Sequence, residues 1–86
     1  MEGERHGRTR YRFHCTNGSE CILDAEGSLV RGPGALARRA RQVAAAAMRN
    51  LGPGDDGAAW RVSVHDLTGR QVWVEPFVAH GIALAA

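Results

Sequence analysis

The sequence predicts a small α+β domain with the element order ββαββ, in which one helix packs on one face of a four-stranded, mainly antiparallel sheet. Two stretches of alternating apolar and polar residues predict hairpins, and a run of helix-forming residues lies between them. The chain has 86 residues, of which 44% are hydrophobic and 23% are charged, as is typical of one globular domain. We therefore expect a single domain at residues 8–78, a disordered N-terminus at 1–7 and a C-terminal tail at 79–86.

The first hairpin begins with a strand in which two kinds of residue alternate. Its apolar side chains share the face that we expect to contact the helix: Tyr11, Phe13 and Cys15. Its basic side chains occupy the opposite face: Arg10, Arg12 and His14. Asn17 and Gly18 predict a tight turn, and a return strand through Leu23 is expected to end near residues 24–27, with Leu23 in the core.

The helix is predicted at residues 35–50, which consist almost entirely of good helix formers. At about 100° per residue, its apolar side chains form one stripe: Leu36, Ala40, Val43, Ala44, Ala47 and Leu51. The opposite stripe is largely basic: Arg38, Arg41, Gln42, Ala45 and Arg49. Gly32, Pro33 and Gly34 precede the helix and are expected to lie outside it.

The second hairpin is predicted from residues 60–65, where Trp60, Val62 and Val64 alternate with polar residues. Residues 66–69 are typical of a type I turn with glycine at its left-handed position. In the return strand at residues 70–75, the alternation places Val72 and Val74 inward and Trp73 outward. These patterns do not determine the order of the strands in the sheet.

The charge distribution is uneven along the chain. Residues 1–49 hold nine arginines and five acidic residues, a balance of +4, whereas residues 50–86 hold two arginines and four acidic residues, a balance of −2. No stretch approaches the ~20 consecutive apolar residues that span a bilayer, and no apolar segment follows the start that would act as a signal peptide. The sequence thus predicts a cytoplasmic protein.

Several of these segments together resemble a family of small alphaproteobacterial proteins known only as a domain of unknown function. The segments are the strand Arg10-Tyr11-Arg12-Phe13-His14, the Asn17-Gly18 turn, the Asp24-Ala25-Glu26-Gly27 segment, the Ala/Arg-rich helix, the strand Trp60-Arg61-Val62-Ser63-Val64, the hairpin Asp66-Leu67-Thr68-Gly69-Arg70-Gln71-Val72 and the final Pro76-Phe77. In that family a Tyr-Phe-His strand, a D-x-x-G turn and a central helix precede a D-x-x-G-x-x-V hairpin that ends in Pro-Phe. The resemblance covers roughly residues 9–78 and implies the same fold, but it implies no activity.

Two positions depart from the pattern of this family. Arg12 stands where an aromatic residue is common, and Gly32-Pro33-Gly34 stands where an acidic entry to the helix is expected. These departures concern the outer face of the first strand and the start of the helix.

The nearest approach to a metal site is the set Cys15, Cys21 and His14, which His65 would have to complete. Structural zinc usually has four ligands, two of them cysteines separated by two to four residues, whereas five residues separate these cysteines. His14 is expected to point away from Cys15 on the strand. We therefore predict no metal and no cofactor. Whether the two thiols face each other across the hairpin is left open by the sequence. A reducing cytosol argues against a structural disulfide between them.

The sequence does not predict an enzyme. Cys15, His65 and Asp66 supply the residue types of a nucleophile, a base and an orienting group. No nucleophile elbow, phosphate loop or pair of carboxylates accompanies them. We infer no small-molecule ligand either.

Two binding functions are left open. The first is a non-catalytic module for protein–protein interaction or self-association, since a small domain with an open sheet face gains stability from a partner. The alternative is a nucleic-acid-binding protein that uses basic and aromatic side chains on the outer sheet face. The candidate site residues are Arg8, Arg10, Arg12, His14 and Trp73. The arginines of the helix are expected on the other side of the domain and cannot join them in one groove.

Overall fold

A computed structural model of the chain describes residues 8–52 and 54–77. The elements are β1 (Thr9–Thr16), β2 (Cys21–Ile22), β3 (Ser28–Val30), α1 (Gly32–Met48), β4 (Arg61–Asp66) and β5 (Gln71–Pro76). One helix packs on an antiparallel sheet, so the predicted α+β class is confirmed. The predicted disordered N-terminus and C-terminal tail lie outside the described residues.

Within residues 8–52 and 54–77, the sheet has five strands rather than the predicted four. Its order is β2-β1-β4-β5, and β3 also pairs with β1. Because β2 faces the end of β1 and β3 faces its start, these two short strands act as one edge strand that residues 23–27 interrupt. An alternation of three residues is too short to predict a strand, which is why β3 was not expected.

The pairing of β1 with β4 sets the two faces of the sheet. Phe13 lies opposite Val64 and Cys15 lies opposite Val62, and these four side chains are buried on the side that α1 covers. Side chains alternate along a strand, so the residues that lie between these positions in each strand point to the other side of the sheet. His14, between Phe13 and Cys15, is one of them.

The core is a thin layer between the sheet and the predicted apolar stripe of the helix. Leu36, Ala40 and Ala44 are buried, as expected, and the alanines allow α1 to approach the sheet closely. Trp60 stacks on Phe77 at the end of this layer, with ring centroids 5.8 Å apart. No helix in the described part of the chain has both the length and the apolar composition that crossing a membrane requires.

The start of the helix differs from the prediction. α1 begins at Gly32 rather than after Gly34, because the first turn of a helix tolerates the missing N–H of Pro33. Arg31 occupies the N-cap position and makes no side-chain capping hydrogen bond.

The outward orientation predicted for Trp73 is wrong. Trp73 pairs with Val64 and Gln71 pairs with His65, so Val72 is an extra residue in β5 that forms a bulge. The bulge shifts the alternation by one residue, which places Trp73 and Glu75 on the side of the helix. Val74, which was expected in the core, lies opposite Ser63 on the other face and is exposed.

The prediction that Leu23 lies in the core is also wrong. This residue lies just after β2, in the segment that interrupts the edge strand, and is 71% exposed. The alternation in Cys21, Ile22 and Leu23 stops there because the chain leaves the sheet.

Asp24 supplies a hydrogen-bond acceptor where the edge strand is interrupted. Its Oδ2 accepts the backbone N–H of Phe13 at 3.0 Å, a donor that faces the gap between β2 and β3. Its Oδ1 accepts the backbone N–H of Gly27 at 3.0 Å and that of Glu26 at 3.3 Å. Gly27 has a φ of +77°, and a Cβ atom there would lie 2.7 Å from the carbonyl oxygen of Tyr11. The D-x-x-G sequence at residues 24–27 therefore supplies an acceptor in place of strand backbone and lets the loop approach β1 closely.

These hydrogen bonds determine the ionisation of Asp24. Partial burial raises its pKa, but the backbone N–H groups of Gly27, Phe13 and Glu26 outweigh that effect and hold the pKa below its ordinary value of 3.8. The carboxylate is thus ionised throughout the neutral range.

We expect Asp24→Asn to lower the free energy of unfolding at pH 7 by about 1–2 kcal/mol. The amide has one acceptor atom, so either Phe13 or the turn at residues 26–27 loses its acceptor. Asp56→Asn is the matched control, because the Oδ1 of Asp56 accepts one N–H, that of Ala58, and an amide oxygen accepts it equally well. Urea unfolding of the three proteins gives the comparison.

The same experiment has a defined pH dependence. Since the pKa of Asp24 is lower in the folded than in the unfolded state, its contribution is present above the ordinary pKa and is lost as the pH falls through the folded value. The difference between wild type and Asp24→Asn should therefore shrink below about pH 4. A difference that is constant with pH would contradict the role of the charge.

Candidate binding face

The sheet face opposite α1, here called the open face, carries the residues that are candidates for function. Strand alternation and the β1–β4 register bring together side chains from three strands there: Arg10, Arg12, His14, Arg61, Ser63, His65, Gln71 and Val74. No helix covers this face in the part of the chain that the structure describes. It is therefore the polar surface that the fold presents to solvent.

His14 lies near the middle of the open face and is held by Asp24, in the segment at residues 23–27 that interrupts the edge strand. Its Nδ1 accepts the backbone N–H of Asp24 at 2.9 Å, so the neutral ring carries its proton on Nε2. Burial is the main cause that lowers the pKa of His14, and the charges of His65 and Arg12 lower it further against the opposing carboxylate of Asp24. His14 is thus a neutral hydrogen-bond donor at pH 7.

His65 is the second histidine of the face, and its ring centroid lies 5.2 Å from that of His14. Its Nδ1 lies 3.1 Å from the carbonyl oxygen of Gly69, and its Nε2 lies 2.7 Å from Ser63 Oγ. Because a carbonyl oxygen only accepts, Nδ1 carries a proton. The ring is thereby fixed between the strand and the turn at residues 66–69.

Ser63 joins this histidine to β5, since its Oγ also lies 2.7 Å from Gln71 Oε1. With a neutral His65, Ser63 donates to Nε2 and the Gln71 amide turns to offer an N–H. With a charged His65, Nε2 donates to Ser63, which donates to Gln71 Oε1. The chain of hydrogen bonds accommodates both protonation states of the ring. Ser63 is 8% exposed, so its hydroxyl serves these hydrogen bonds and is a poor position for a nucleophile.

Exposed arginines surround the two histidines. Arg10 donates to the backbone carbonyl of Glu26 at 2.9 Å, and Arg61 to that of Ala59 at 3.4 Å. Among the described residues, neither these two nor Arg12 has a carboxylate within ion-pair distance; the ion pair found there joins Arg70 to Asp66 in the turn. The open face therefore has an excess of positive charge.

The predicted site residues are only partly brought together. Arg10, Arg12 and His14 share the open face, and Arg8 lies exposed just before β1. Trp73 does not join them, because the bulge in β5 turns it to the side of the helix, where its Nε1 donates to Glu75 Oε1 at 3.1 Å. The arginines of the helix, Arg38, Arg41 and Arg49, are exposed on the other side of the domain.

The two cysteines do not face each other. Cys15 is opposite Ile22 and buried under the helix, whereas Cys21 is opposite Thr16 and exposed on the other face; both are free thiols. Cys15 is likewise on the opposite face from His65, so the Cys15–His65–Asp66 set is not assembled. Within the described residues, no three His, Cys, Asp or Glu side chains are grouped as metal ligands.

The sequence indicated some of this site but not its centre. Alternation already placed His14 on one hairpin and Ser63 and His65 on the other, all away from the core. That β1 and β4 are neighbours was not predicted, because strand order is not encoded in the alternation. The role of Asp24 had a signal in its D-x-x-G spacing, which recurs at residues 66–69.

Comparison with known proteins gives one result. Residues 10–78, which include nearly all of β1 and the whole of β5, match the family described as Domain of unknown function (DUF6894). No curated protein and no solved structure matches the chain. The predicted resemblance to a domain of unknown function is confirmed at this level. Since the match covers most of the sequence, the chain belongs to the DUF6894 family.

Proposed function

We propose that the chain is a non-catalytic binding module whose open face contacts an acidic surface of another protein. The observation that carries this proposal is the group Arg10, Arg12 and Arg61, which lies on an uncovered sheet face without a carboxylate partner among the described residues. Arginine is favoured at protein interfaces because its guanidinium binds carboxylates through two parallel hydrogen bonds.

The two edges of the sheet are unsuited to pairing with a strand of a partner, which favours the open face as the binding surface. β5 forms one edge, and it carries a bulge, a terminal Pro76 and the inward-pointing Glu75. The other edge is split into β2 and β3 by residues 23–27. Bulges, prolines, inward charges and very short strands are the features that prevent another strand from pairing with an edge.

Apolar side chains at the sides of the open face favour a protein partner. Leu29 lies opposite Arg10 and is 52% exposed, and Val74 lies opposite Ser63 and is 41% exposed. A surface with apolar side chains beside arginines resembles a protein interface more than a purely electrostatic one.

The proposal includes a location and an origin for the protein, both of which are predictions from the sequence. The sequence predicts the cytoplasm as the location of the protein. The resemblance to small alphaproteobacterial proteins predicts a bacterial origin.

Charge reversal at the centre of the face tests the proposal. We expect Arg12→Glu to reduce capture of a specific acidic protein from an extract of the source organism at least tenfold, which corresponds to about 1.4 kcal/mol, because like charges then meet at the interface. Arg41→Glu is the matched control, since Arg41 is exposed on the helix and away from the face. Quantitative mass spectrometry of the captured proteins is the measurement.

Two results would contradict the proposal. One is a partner whose capture falls equally with both variants, which would reflect net charge rather than the face. The other is a partner that Arg12→Glu captures as well as wild type does.

The second candidate function is binding of single-stranded nucleic acid by the same arginines. The guanidinium groups of Arg10 and Arg12, which have no carboxylate partner among the described residues, favour it. The position of Trp73 on the helix side removes the aromatic residue that is expected to stack on a base. Fluorescence anisotropy with a labelled oligonucleotide at several salt concentrations distinguishes it from the first candidate.

If nucleic acid is the partner, Arg10→Ala with Arg12→Ala should lower the slope of log K against log salt by about 1.4, since each phosphate contact on a single strand contributes about 0.7. Arg38→Ala with Arg41→Ala, on the helix, should leave the slope unchanged. An equal loss in both double variants, or no binding by wild type, would exclude this function for the open face.

A further inference from the structure

A groove lies on the helix side of the sheet, between α1 and the interrupted edge strand. Its volume is about 360 Å³. Phe13 and Cys15 form its floor, and Val43 and Arg39 form the wall on the helix. The wall on the edge strand consists of Ile22 and of residues in the interrupting segment 23–27, among them Leu23 and Glu26. This groove is on the opposite side of the sheet from the open face.

Two neighbouring apolar side chains project at the rim of the groove. Ile22 is 61% exposed and Leu23 is 71% exposed, although the register opposite Cys15 turns Ile22 to the side of the helix. A small-molecule site encloses the side chains that line it, whereas these protrude. Adjacent exposed apolar residues of this kind are typical of a protein–protein contact, and a partner needs a concave surface to receive them. The chain has such a surface directly beside them.

The charges on the two walls are opposite. Arg39 lies on the helix wall and Glu26 on the edge wall, and neither has an ion-pair partner among the described residues. In a symmetric pair of identical chains, a two-fold axis parallel to the groove brings Arg39 of each copy towards Glu26 of the other, so both ion pairs form together. A partner with a single sign of charge would be repelled by one of the walls.

We propose that the occupant of this groove is a second copy of the chain, and that Ile22 and Leu23 of each copy pack into the groove of the other. The dimer is isologous, because the same patch serves both copies. It leaves the open face of each copy free for its own partner. The inference does not rest on the proposed function of that face, because the two surfaces share no side chain that either argument uses.

Sedimentation equilibrium over a range of concentrations tests the dimer. We expect wild type to dimerise and Leu23→Glu to raise the dissociation constant by about 100-fold, because two copies of a charged side chain replace two buried leucines. Leu67→Glu is the matched control, since Leu67 is 58% exposed at the turn after β4 and lies outside the groove. Both leucines are exposed, so both variants should fold, and far-ultraviolet circular dichroism verifies that they do.

A charge exchange tests the two-fold arrangement itself. Glu26→Arg and Arg39→Glu should each weaken the dimer by about tenfold, and the double variant should return to within a few-fold of wild type because each ion pair is then reversed. The proposal is overturned by a wild-type protein that is monomeric at every concentration, by equal effects of Leu23→Glu and Leu67→Glu, or by a double variant that dimerises no better than the single ones.

Discussion

The antiparallel pairing of β1 with β4 is the constraint on which the rest of the structure depends. It joins two hairpins that are separated in the chain by the helix, and it buries Val62 and Val64 completely between the sheet and α1. Side chains alternate along each strand, so a shift of this register by one residue would exchange the two faces. The same pairing that puts Phe13 and Cys15 under the helix puts Arg12 and His14 on the open face, and neither face can change without the other.

Two short turns that begin with an aspartate supply hydrogen-bond acceptors to backbone N–H groups where strands of this small sheet end. Asp24 accepts three backbone N–H groups where the edge strand is interrupted. Asp66 accepts the backbone N–H groups of Thr68 and Arg70 through its Oδ1 in the turn between β4 and β5. Both turns have the sequence D-x-x-G, with a glycine at positive φ. These turns fix positions on the open face, since Asp24 holds His14 and the carbonyl of Gly69 holds His65.

The sequence was sufficient for the fold class, because Phe13, Val62 and Val64 alternate cleanly and the stripe from Leu36 to Ala44 has helical spacing. It was not sufficient for β5, where the extra residue Val72 shifts the alternation. A bulge leaves no mark in the pattern of apolar residues, so Trp73 was placed on the wrong face. For each strand separately, the sequence predicted which side chains of the candidate site point away from the core. The pair of His14 and His65 was not predictable, because their contact depends on which strands are neighbours.

The measurement that tests this account most directly is a nuclear Overhauser experiment on the ring protons of His14 in uniformly labelled protein. The β1–β4 register predicts cross-peaks to the ring of His65, whose centroid is 5.2 Å away, and none to the indole of Trp73, which lies on the other side of the sheet. Cross-peaks between His14 and Trp73, with none to His65, would contradict the register and with it the composition of both faces.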